Sequence, residues 1–317
     1  MRFYFLLLSI IVIFLPGCSD ENHQSPKIKI SHFTHKQIQI CVENAMEKFG
    51  WVYVEDVEVL RCANGGNLPI SQDIFAELDI FTNLTTLELS FFDQEYPIEF
   101  NAQAFPNLES FSCRWCSNFS FDFSANPNLE KVVFSDVMGT SFLDLSQNKE
   151  LLELELKSVQ VERVLLSPNS KLKSFSLSTV FIGIDSEFGY QHSFEMNWQD
   201  ASMLESFVAN HAKFNNVSLN SYSNLKTFDV GYSYFDSLHI SSSSLKRVQC
   251  KSCQLQEFDP SQLPSLEELI LTNNEIQYID LDDNPKLKLA YLDNNPFRPE
   301  IIEYLESLPI EILSYGN

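Results

Sequence analysis

Two pairs of cysteines have the spacing that is typical of zinc ligands and of redox motifs. Cys113 and Cys116 form one C-x-x-C sequence, and Cys250 and Cys253 form the other. A zinc site built from both pairs needs four thiolates, each about 2.3 Å from the same ion. A redox pair instead needs a thiolate that is stabilised by a helix N-terminus or a basic neighbour. Which chemistry is available depends on the elements that position these cysteines.

The remaining residues that could carry chemistry form no known catalytic motif. The sequence has six histidines and nine glycines, and it contains no H-E-x-x-H, G-x-S-x-G or phosphate-loop pattern. Because function must come from a site, we expect no enzymatic activity, no cofactor and no metal. A glycan or peptide hydrolase is the enzyme-class alternative.

The secondary structure that positions these cysteines can be predicted from a leucine that recurs along most of the chain. Most of its steps are 20–22 residues. Its positions are Leu84, Leu108, Leu129, Leu151, Leu172, Leu204, Leu225, Leu245, Leu266 and Leu287. Such a period, with apolar residues at fixed offsets, is typical of a leucine-rich repeat solenoid. Each L-x-L stretch predicts a short strand with one buried face. The sequence therefore predicts an α/β but mostly β leucine-rich repeat horseshoe with a helical N-terminal cap.

The repeat places the two C-x-x-C pairs at equivalent positions of units that are six strands apart. At about 4.8 Å per strand the pairs are about 29 Å apart, which excludes one shared zinc ion. Their offsets point inward, where cysteine behaves as a small buried apolar residue. No predicted helix N-terminus is placed to stabilise a thiolate. We therefore expect neither metal binding nor redox chemistry, and whether these thiols are free is left open.

The first 17 residues have the features of an export signal. Arg2 gives a basic start, and residues 3–15 form an apolar run that is too short to span a membrane. The ending L-P-G-C resembles the lipobox of bacterial lipoproteins, which implies that Cys18 becomes the acylated first residue. We expect residues 1–17 to be a signal peptide and residues 18–33 an acylated tether. The alternative is an ordinary cleaved signal with a coincidental cysteine.

Two further segments are expected to cover the open ends of the solenoid. Helical spacing of apolar residues predicts an N-terminal cap over 34–56, and the solenoid then covers 57–298. Residues 299–317 are predicted to form the C-terminal cap. In an exported protein, Cys41 on the cap helix and Cys62 on the first strand are the disulfide candidates.

The second half of each unit carries an I-D-L-S-like pattern, as in residues 143–146 and 279–282. We expect its final Ser or Asp to bond the nearby backbone and close the turn. With the 21-residue period, this pattern resembles the short repeats of bacterial internalin-like proteins over about residues 57–298. The chain departs from that family at the ninth repeat position, where the usual asparagine is present only at Asn274 and Asn295.

The composition is strongly acidic, with a formal net charge of −22. Nucleic acids and anionic lipids both require a basic footprint, so the charge argues against either as a partner. We therefore expect contact with a membrane through the N-terminal acyl chains only. The protein is also expected to be a monomer. The acidity indicates a solvated convex face, and a basic or cation-bridged ligand is the alternative.

Outward residues of the repeat strands form the concave face, which is the usual recognition surface of a solenoid. The partner-binding residues expected there are Phe91, Arg114, Trp115, His211, Tyr232 and Tyr291. The first three form one predicted patch, and His211 with Tyr232 forms a second. Exposed Trp, Tyr and Arg are typical anchors of protein interfaces. The alternative is that each aromatic side chain packs on its neighbour along the ladder.

One unit is longer than the others, because Leu204 comes 32 positions after Leu172. The extra loop, about residues 185–200, contains Phe188, Tyr190, His192, Phe194 and Trp198. Long loops often carry function. The alternative is a loop that tucks its aromatic side chains onto the edge of the solenoid.

These features together predict an acylated outer-membrane protein that binds a protein or glycan partner through its concave face. The resemblance to internalin-like proteins implies a role in adhesion to host or neighbouring cells. Ser19, directly after Cys18, resembles an outer-membrane sorting signal. A structural lipoprotein that faces the periplasm and holds envelope components together is the second interpretation. The sequence names no ligand.

Overall fold

The computed structural model describes residues 25–63, 74–179, 193–220 and 222–316. The predicted signal peptide and Cys18 lie outside the described residues. Within the described part of the chain, each helix is too short or too polar to cross a membrane.

Parallel strands dominate the fold. In chain order the described strands are β1 (Val59–Ala63), β2 (Thr86–Asn101), β3 (Ser110–Asp122), β4 (Lys131–Ser135), β5 (Phe142–Leu145), β6 (Glu153–Val159), β7 (Arg163–Leu166), β8 (Ser174–Thr179), β9 (Glu195–Met196), β10 (Ser206–Asn210), β11 (Lys213–Asn220), β12 (Thr227–Gly231), β13 (Tyr234–Ser241), β14 (Arg247–Lys251), β15 (Glu268–Ile270), β16 (Leu289–Tyr291) and β17 (Ile312–Ser314). Twelve of them form one sheet in the order β1-β2-β3-β4-β6-β8-β10-β12-β14-β15-β16-β17. Strands β5, β7 and β9 form a second sheet, and β11 pairs with β13.

The register of the 12-stranded sheet aligns equivalent offsets of neighbouring units. Leu87 on β2 pairs with Phe111 on β3, which pairs with Val132 on β4. This fully buried column continues through Leu154, Phe175, Phe207 and Phe228. A slip of one residue would turn every side chain to the opposite face, so burial of this column fixes the register. The predicted leucine-rich repeat solenoid, mostly β, is confirmed.

Helices cover both ends of the sheet. Helix α1 (Lys36–Phe49) buries Ile38 and Val42, and it ends at Gly50, whose φ of 74° is left-handed. A disulfide joins Cys41 of α1 to Cys62 of β1, with their Cα atoms 4.9 Å apart. This disulfide therefore cross-links the cap helix to the first strand of the solenoid.

At the opposite end, helix α2 (Pro299–Ser307) buries Ile301 and Leu305. Proline suits its first turn because the backbone there needs no N–H donor. Short 3-10 helices occur at Ile30–His32, Val54–Asp56, Ile74–Leu78, Ala102–Ala104 and Trp198–Asp200.

Aspartates close the turns in the second half of the units. The carboxylates of Asp122, Asp144 and Asp280 each accept a hydrogen bond from the backbone N–H two residues later, at 2.9–3.0 Å. The expectation that the final Ser or Asp of the pattern makes this bond is wrong. The middle Asp does so because its short side chain reaches the backbone two positions ahead, as in an Asx turn.

Buried asparagines tie neighbouring units together. The side-chain amide of Asn126 donates to the carbonyls of Ala102 and Phe105, at 3.2 and 2.7 Å. Asn148 and Asn284 donate to carbonyls of their preceding units in the same way. These bonds satisfy backbone groups that would otherwise be buried without a partner.

The described part of the long unit packs inward. Phe194 and Trp198 are buried, and the ring of Trp198 lies 5.3 Å from that of Phe207. The ring of Phe194 lies 5.6 Å from that of Phe175. These two side chains therefore follow the tucked-loop alternative, while Phe188, Tyr190 and His192 lie outside the described residues.

Candidate binding surface

Most units of the 12-stranded sheet contain one left-handed backbone residue, which lies within the strand or shortly after its end. It stands seven positions after the repeat leucine, and its φ lies between 50° and 63°. We call these residues the left-handed row: Phe91, Trp115, Asp136, Ser158, His211, Tyr232, Ser252, Asn273 and Asn294. The turn is required because two consecutive residues face outward here, such as Arg114 and Trp115, before Cys116 returns to the core.

Several members of the left-handed row do not favour this conformation. Gly, Asn and Asp adopt it readily, whereas bulky side chains rarely do, at a cost of about 1–2 kcal/mol. Phe91, Trp115 and Tyr232 are therefore held against their local preference. Residues held in this way cluster at binding and catalytic sites.

The N-terminal aromatic patch consists of Phe91, Arg114 and Trp115. The ring centroids of Phe91 and Trp115 are 4.4 Å apart, with 31° between their planes. The guanidinium carbon of Arg114 lies 4.2 Å from the centroid of the Trp115 ring, which is a cation–π contact. Phe91 is nevertheless 49% exposed and Trp115 37% exposed. The rings pack along the ladder and still leave an open outer surface.

The C-terminal aromatic patch consists of His211, Tyr232 and Lys251. The His211 and Tyr232 rings are stacked, with centroids 5.2 Å apart and 4° between their planes. The Lys251 Nζ lies 6.0 Å from the Tyr232 ring, and Tyr232 is 45% exposed. Both patches thus have the same composition: two contacting rings of the left-handed row and one cation.

Hydrogen bonds to the next unit fix the backbone of the row. The N–H of His211 donates to the carbonyl of Gly231 at 3.1 Å, and that of Tyr232 donates to Lys251 at 2.9 Å. The rings are therefore carried on a backbone that is already ordered before any partner binds.

Five of the six predicted partner-binding residues gather in these patches. The patches lie on one edge of the 12-stranded sheet, four strand spacings apart between β3 and β10, or about 19 Å. Tyr291 lies apart from both, in β16 rather than in the left-handed row, and it is 37% exposed.

Each C-x-x-C pair forms a disulfide. The Cα atoms are 6.0 Å apart in Cys113–Cys116 and 5.6 Å apart in Cys250–Cys253, within bridging range. The pairs are buried, as expected from their offsets, but they are cross-linked rather than separate apolar side chains. Residues three apart in a regular strand point to opposite faces. The left-handed turn between the cysteines brings both to the inner face, as their repeat offsets predict, and it places them within bridging distance, which the sequence left open.

These disulfides enclose residues of the patches. The Cys113–Cys116 loop contains Arg114 and Trp115, and the second loop contains Lys251. A covalent link on both sides of a left-handed turn limits the conformations that the turn can adopt. The ring and the cation are therefore presented in a pre-organised arrangement, which lowers the cost of binding.

Small polar side chains lie between the patches. The outward residues of β8 are serines, at positions 174, 176 and 178. Farther along the sheet, a carboxylate oxygen of Asp229 lies 4.0 Å from Arg247. Burial raises the pKa of the Asp229 carboxyl above its ordinary value, and the nearby Arg247 opposes that rise. The floor of the concave face is thus polar, and its aromatic anchors are at the edge.

Two features of this surface were not predicted from the sequence. One is the left-handed row, and the other is the position of Lys251 beside the Tyr232 ring. A signal for the row does exist in the chain. Asp136, Asn273 and Asn294 stand at the same repeat offset, and Asn and Asp are the side chains that best tolerate this conformation.

No protein-family model and no curated protein sequence matches the chain. Among solved structures, the chain is similar to the internalin inlF from Listeria monocytogenes str. 4b F2365. The identity is 17% and the TM-score 0.52, over 92% of this chain and 93% of that chain.

Two further solved structures are similar at lower scores. The functional domain of InlJ from Listeria monocytogenes, which includes a cysteine ladder, has 18% identity and a TM-score of 0.31, over 84% of this chain and 70% of that one. A chain of the octameric complex of latrophilin 3, Unc5D and FLRT2 has 13% identity and a TM-score of 0.49, over 84% and 89%. The comparison with inlF, together with the register and core, identifies the chain as a mostly β solenoid with the leucine-rich repeat fold of internalin structures.

Proposed function

We propose that this chain is an envelope-anchored leucine-rich repeat lipoprotein that captures a protein partner along the edge of its concave face. The observation that carries this proposal is the pair of exposed aromatic patches on a strained, cross-linked backbone. Trp, Tyr and Arg are the residues that most often dominate binding energy at protein interfaces. Pre-organised rings also bind at a lower entropic cost than mobile ones.

Anchoring is proposed through lipid on Cys18 in the outer membrane. The support is the L-P-G-C sequence that ends a short apolar run. Several acyl chains on one residue give stable attachment, whereas a single chain is marginal. Display on the cell surface would place the aromatic patches where they can meet another cell, in keeping with a role in adhesion.

A binding role is proposed in preference to catalysis. The two histidines inside regular repeats do not share a site, since His211 stacks on Tyr232 while His239 lies on β13 of another sheet. The patches offer ring surfaces and cations, which suit recognition.

The test replaces Trp115 and Tyr232 by Ala, singly and together, and measures capture of surface proteins by the immobilised mature protein. Each truncated anchor should weaken capture about 30-fold, because a hot-spot residue contributes about 2 kcal/mol. Tyr278→Ala is the matched control, since Tyr278 is 58% exposed but lies outside both patches. A double variant that binds like the parent contradicts the proposed site. A captured ligand that resists protease and is destroyed by periodate is a glycan, which contradicts a protein partner.

Anchoring and orientation need separate measurements. Mass spectrometry of the mature N-terminal peptide should find acyl chains on Cys18, and an unmodified thiol there contradicts anchoring. Protease applied to intact cells should degrade the protein without lysis. Protection until the outer membrane is opened supports the periplasmic scaffold instead.

A further inference from the structure

We infer that the N-terminal cap has a membrane-docking face that holds the solenoid in a fixed orientation on an anionic lipid surface. The inference rests on the lipid anchoring proposed above. The face, which we call the cap patch, consists of Phe49, Trp51 and Val52 with Lys27 and Lys48. Its position, its exposed apolar area, its charge and the length of chain that precedes it support this assignment.

Two apolar side chains of the cap patch are open to solvent. Phe49 is the last residue of α1, and it is 44% exposed; Val52, just beyond the helix, is also 44% exposed. The ring of Phe49 stacks on that of the partly buried Trp51, with centroids 4.7 Å apart. Exposed apolar side chains grouped in this way mark interaction surfaces. Tryptophan in particular is enriched at the boundary between membrane and water.

One lysine of the cap patch lies near the Phe49 ring, and the other lies near the ring of the neighbouring Tyr53. The Lys48 Nζ lies 5.2 Å from the Phe49 ring, and the Lys27 Nζ lies 5.8 Å from the ring of Tyr53, which follows Val52. Both side chains can therefore reach lipid headgroups while the apolar residues between them reach the acyl boundary.

The charge of the cap differs from that of the whole chain. Residues 25–56 contain four lysines and four acidic residues and are neutral overall, although the chain carries −22. Among the described residues, Lys27, Lys29, Lys36 and Lys48 form no ion pair with a carboxylate. Many lysines of the solenoid, in contrast, are paired with glutamates of an adjacent unit. The cap is thus much less acidic than the solenoid, and Lys27 and Lys48 beside the aromatic rings are available to an anionic surface.

The chain enters the fold next to the cap patch. The N–H of Ile28 donates to the carbonyl of Val52 at 2.9 Å, so the entering segment runs alongside the patch. Ser25, the first described residue, stands seven positions after Cys18. At about 3.5 Å per residue, even a fully extended tether spans no more than about 25 Å. Lipid on Cys18 thus keeps the cap patch close to the bilayer.

The acidity of the solenoid does not prevent this contact. The Debye length at physiological salt is about 8 Å, so acidic groups farther than this from the bilayer are largely screened. Only the charges that approach the lipid contribute, and each lysine there strengthens association about fivefold. The expectation that only the acyl chains contact the membrane rested on the net charge of the whole chain. That sum does not describe the local charge of the cap, which is the part that approaches the bilayer.

The test incorporates the acylated full chain into vesicles of phosphatidylcholine and phosphatidylglycerol whose acyl chains carry bromine, and it measures tryptophan quenching. The difference between the parent and Trp51→Phe isolates the signal of Trp51, which we expect to be quenched. Lys27→Gln with Lys48→Gln should lower the ratio of docked to undocked protein about 25-fold, at about fivefold for each lysine. Lys149→Gln with Lys286→Gln, the same charge change in the solenoid, should leave quenching unchanged.

Acylated, vesicle-bound protein in which Trp51 is unquenched overturns the docking face and leaves the anchoring proposal intact. Quenching that persists after both cap lysines are replaced overturns the electrostatic part of the inference. Mass spectrometry of the same sample detects the other failure, because an unacylated protein overturns the anchoring proposal and, with it, the inference that rests on it.

Discussion

The left-handed row is filled differently in two regions of the solenoid. In the C-terminal repeats it holds Asn273 and Asn294, residue types that accept the conformation, and their side chains bond each other at 2.6 Å. Toward the N-terminus the same backbone position holds Phe91 and Trp115, which do not favour it. One region follows local backbone preference and the other opposes it, which supports the proposal that the rings are there for the surface that they present.

The residue that follows the row differs in the same manner. Asn274 donates to the carbonyls of Cys250 and Leu271 at 2.7 and 2.8 Å, and it accepts from the N–H of Cys253 at 2.9 Å. At the equivalent position of the N-terminal aromatic patch, Cys116 forms a disulfide within its own unit. Side-chain hydrogen bonds of asparagine thus link neighbouring units in the C-terminal repeats. In the N-terminal aromatic patch, the disulfide instead links two residues of the same unit.

The largest expected effect comes from breaking the link between units. Asn274→Ala leaves several buried backbone groups without partners and should lower the free energy of unfolding by about 4 kcal/mol. Urea denaturation measures this change. Asn273→Gly, at the exposed neighbouring position, should change stability by about 0.5 kcal/mol or less. Equal losses in the two variants would show that the buried amide is unimportant.

Disulfide removal compares the cap with the aromatic patch. Replacing Cys41 and Cys62 by Ala opens a loop of about 22 residues and should cost about 3 kcal/mol, whereas replacing Cys113 and Cys116 opens a loop of four and should cost about 2 kcal/mol. The second variant alone should also weaken partner capture, because it frees the turn that carries Trp115. Capture at parental strength with this disulfide absent would refute pre-organisation.

Exchanging the occupants of the left-handed row should change stability in opposite directions. Trp115→Asn relieves strain and should raise the free energy of unfolding by about 1 kcal/mol while it weakens capture, and Asn273→Trp should lower it by a similar amount. Thermal unfolding and a binding assay on the same samples provide both readouts. A loss of stability in Trp115→Asn would mean that the ring is there for packing.

The smallest expected effect is a pH dependence at Glu77, which joins the first part of the solenoid to Thr34 and His35 before the cap helix. Burial alone would raise the pKa of Glu77, but hydrogen bonds from the hydroxyl and N–H of Thr34 and from the N–H of His35 outweigh it and lower the pKa below the ordinary 4.5. Because the folded pKa is the lower one, this stabilisation is present above the unfolded pKa and is lost as pH falls through the folded value. Glu77→Gln should therefore lower the Tm at about pH 7 but have little effect at about pH 3. The exposed Glu257→Gln should show no such difference between the two pH values.

The fold was predictable because its determinants are local. Alternation around Leu269 and its equivalents encodes both the strand and its buried face, and the recurrence of that pattern encodes the stacking. The patches were predictable as outward residues, since Trp115 and Tyr232 follow directly from their offsets.

The conformation of those residues was not predictable in the same way. A left-handed turn reverses the expected direction of the residue that follows it, so the pairing of Cys113 with Cys116 is hidden from a period-two pattern. The cap patch was missed for a different reason. A sum over all charges carries no information about where Lys27 and Lys48 lie.

The four-residue ring closed by Cys113 and Cys116 also bears on when the protein becomes able to bind. Such bonds form after transfer to an oxidising compartment and are rare in the reducing cytosol. For a chain exported as proposed, the precursor would cross the inner membrane with both thiols reduced and with Trp115 free to relax out of its strained geometry. The protein would then become able to bind its partner only after export, when the disulfide forms. Newly made chains in the cytosol would not bind prematurely.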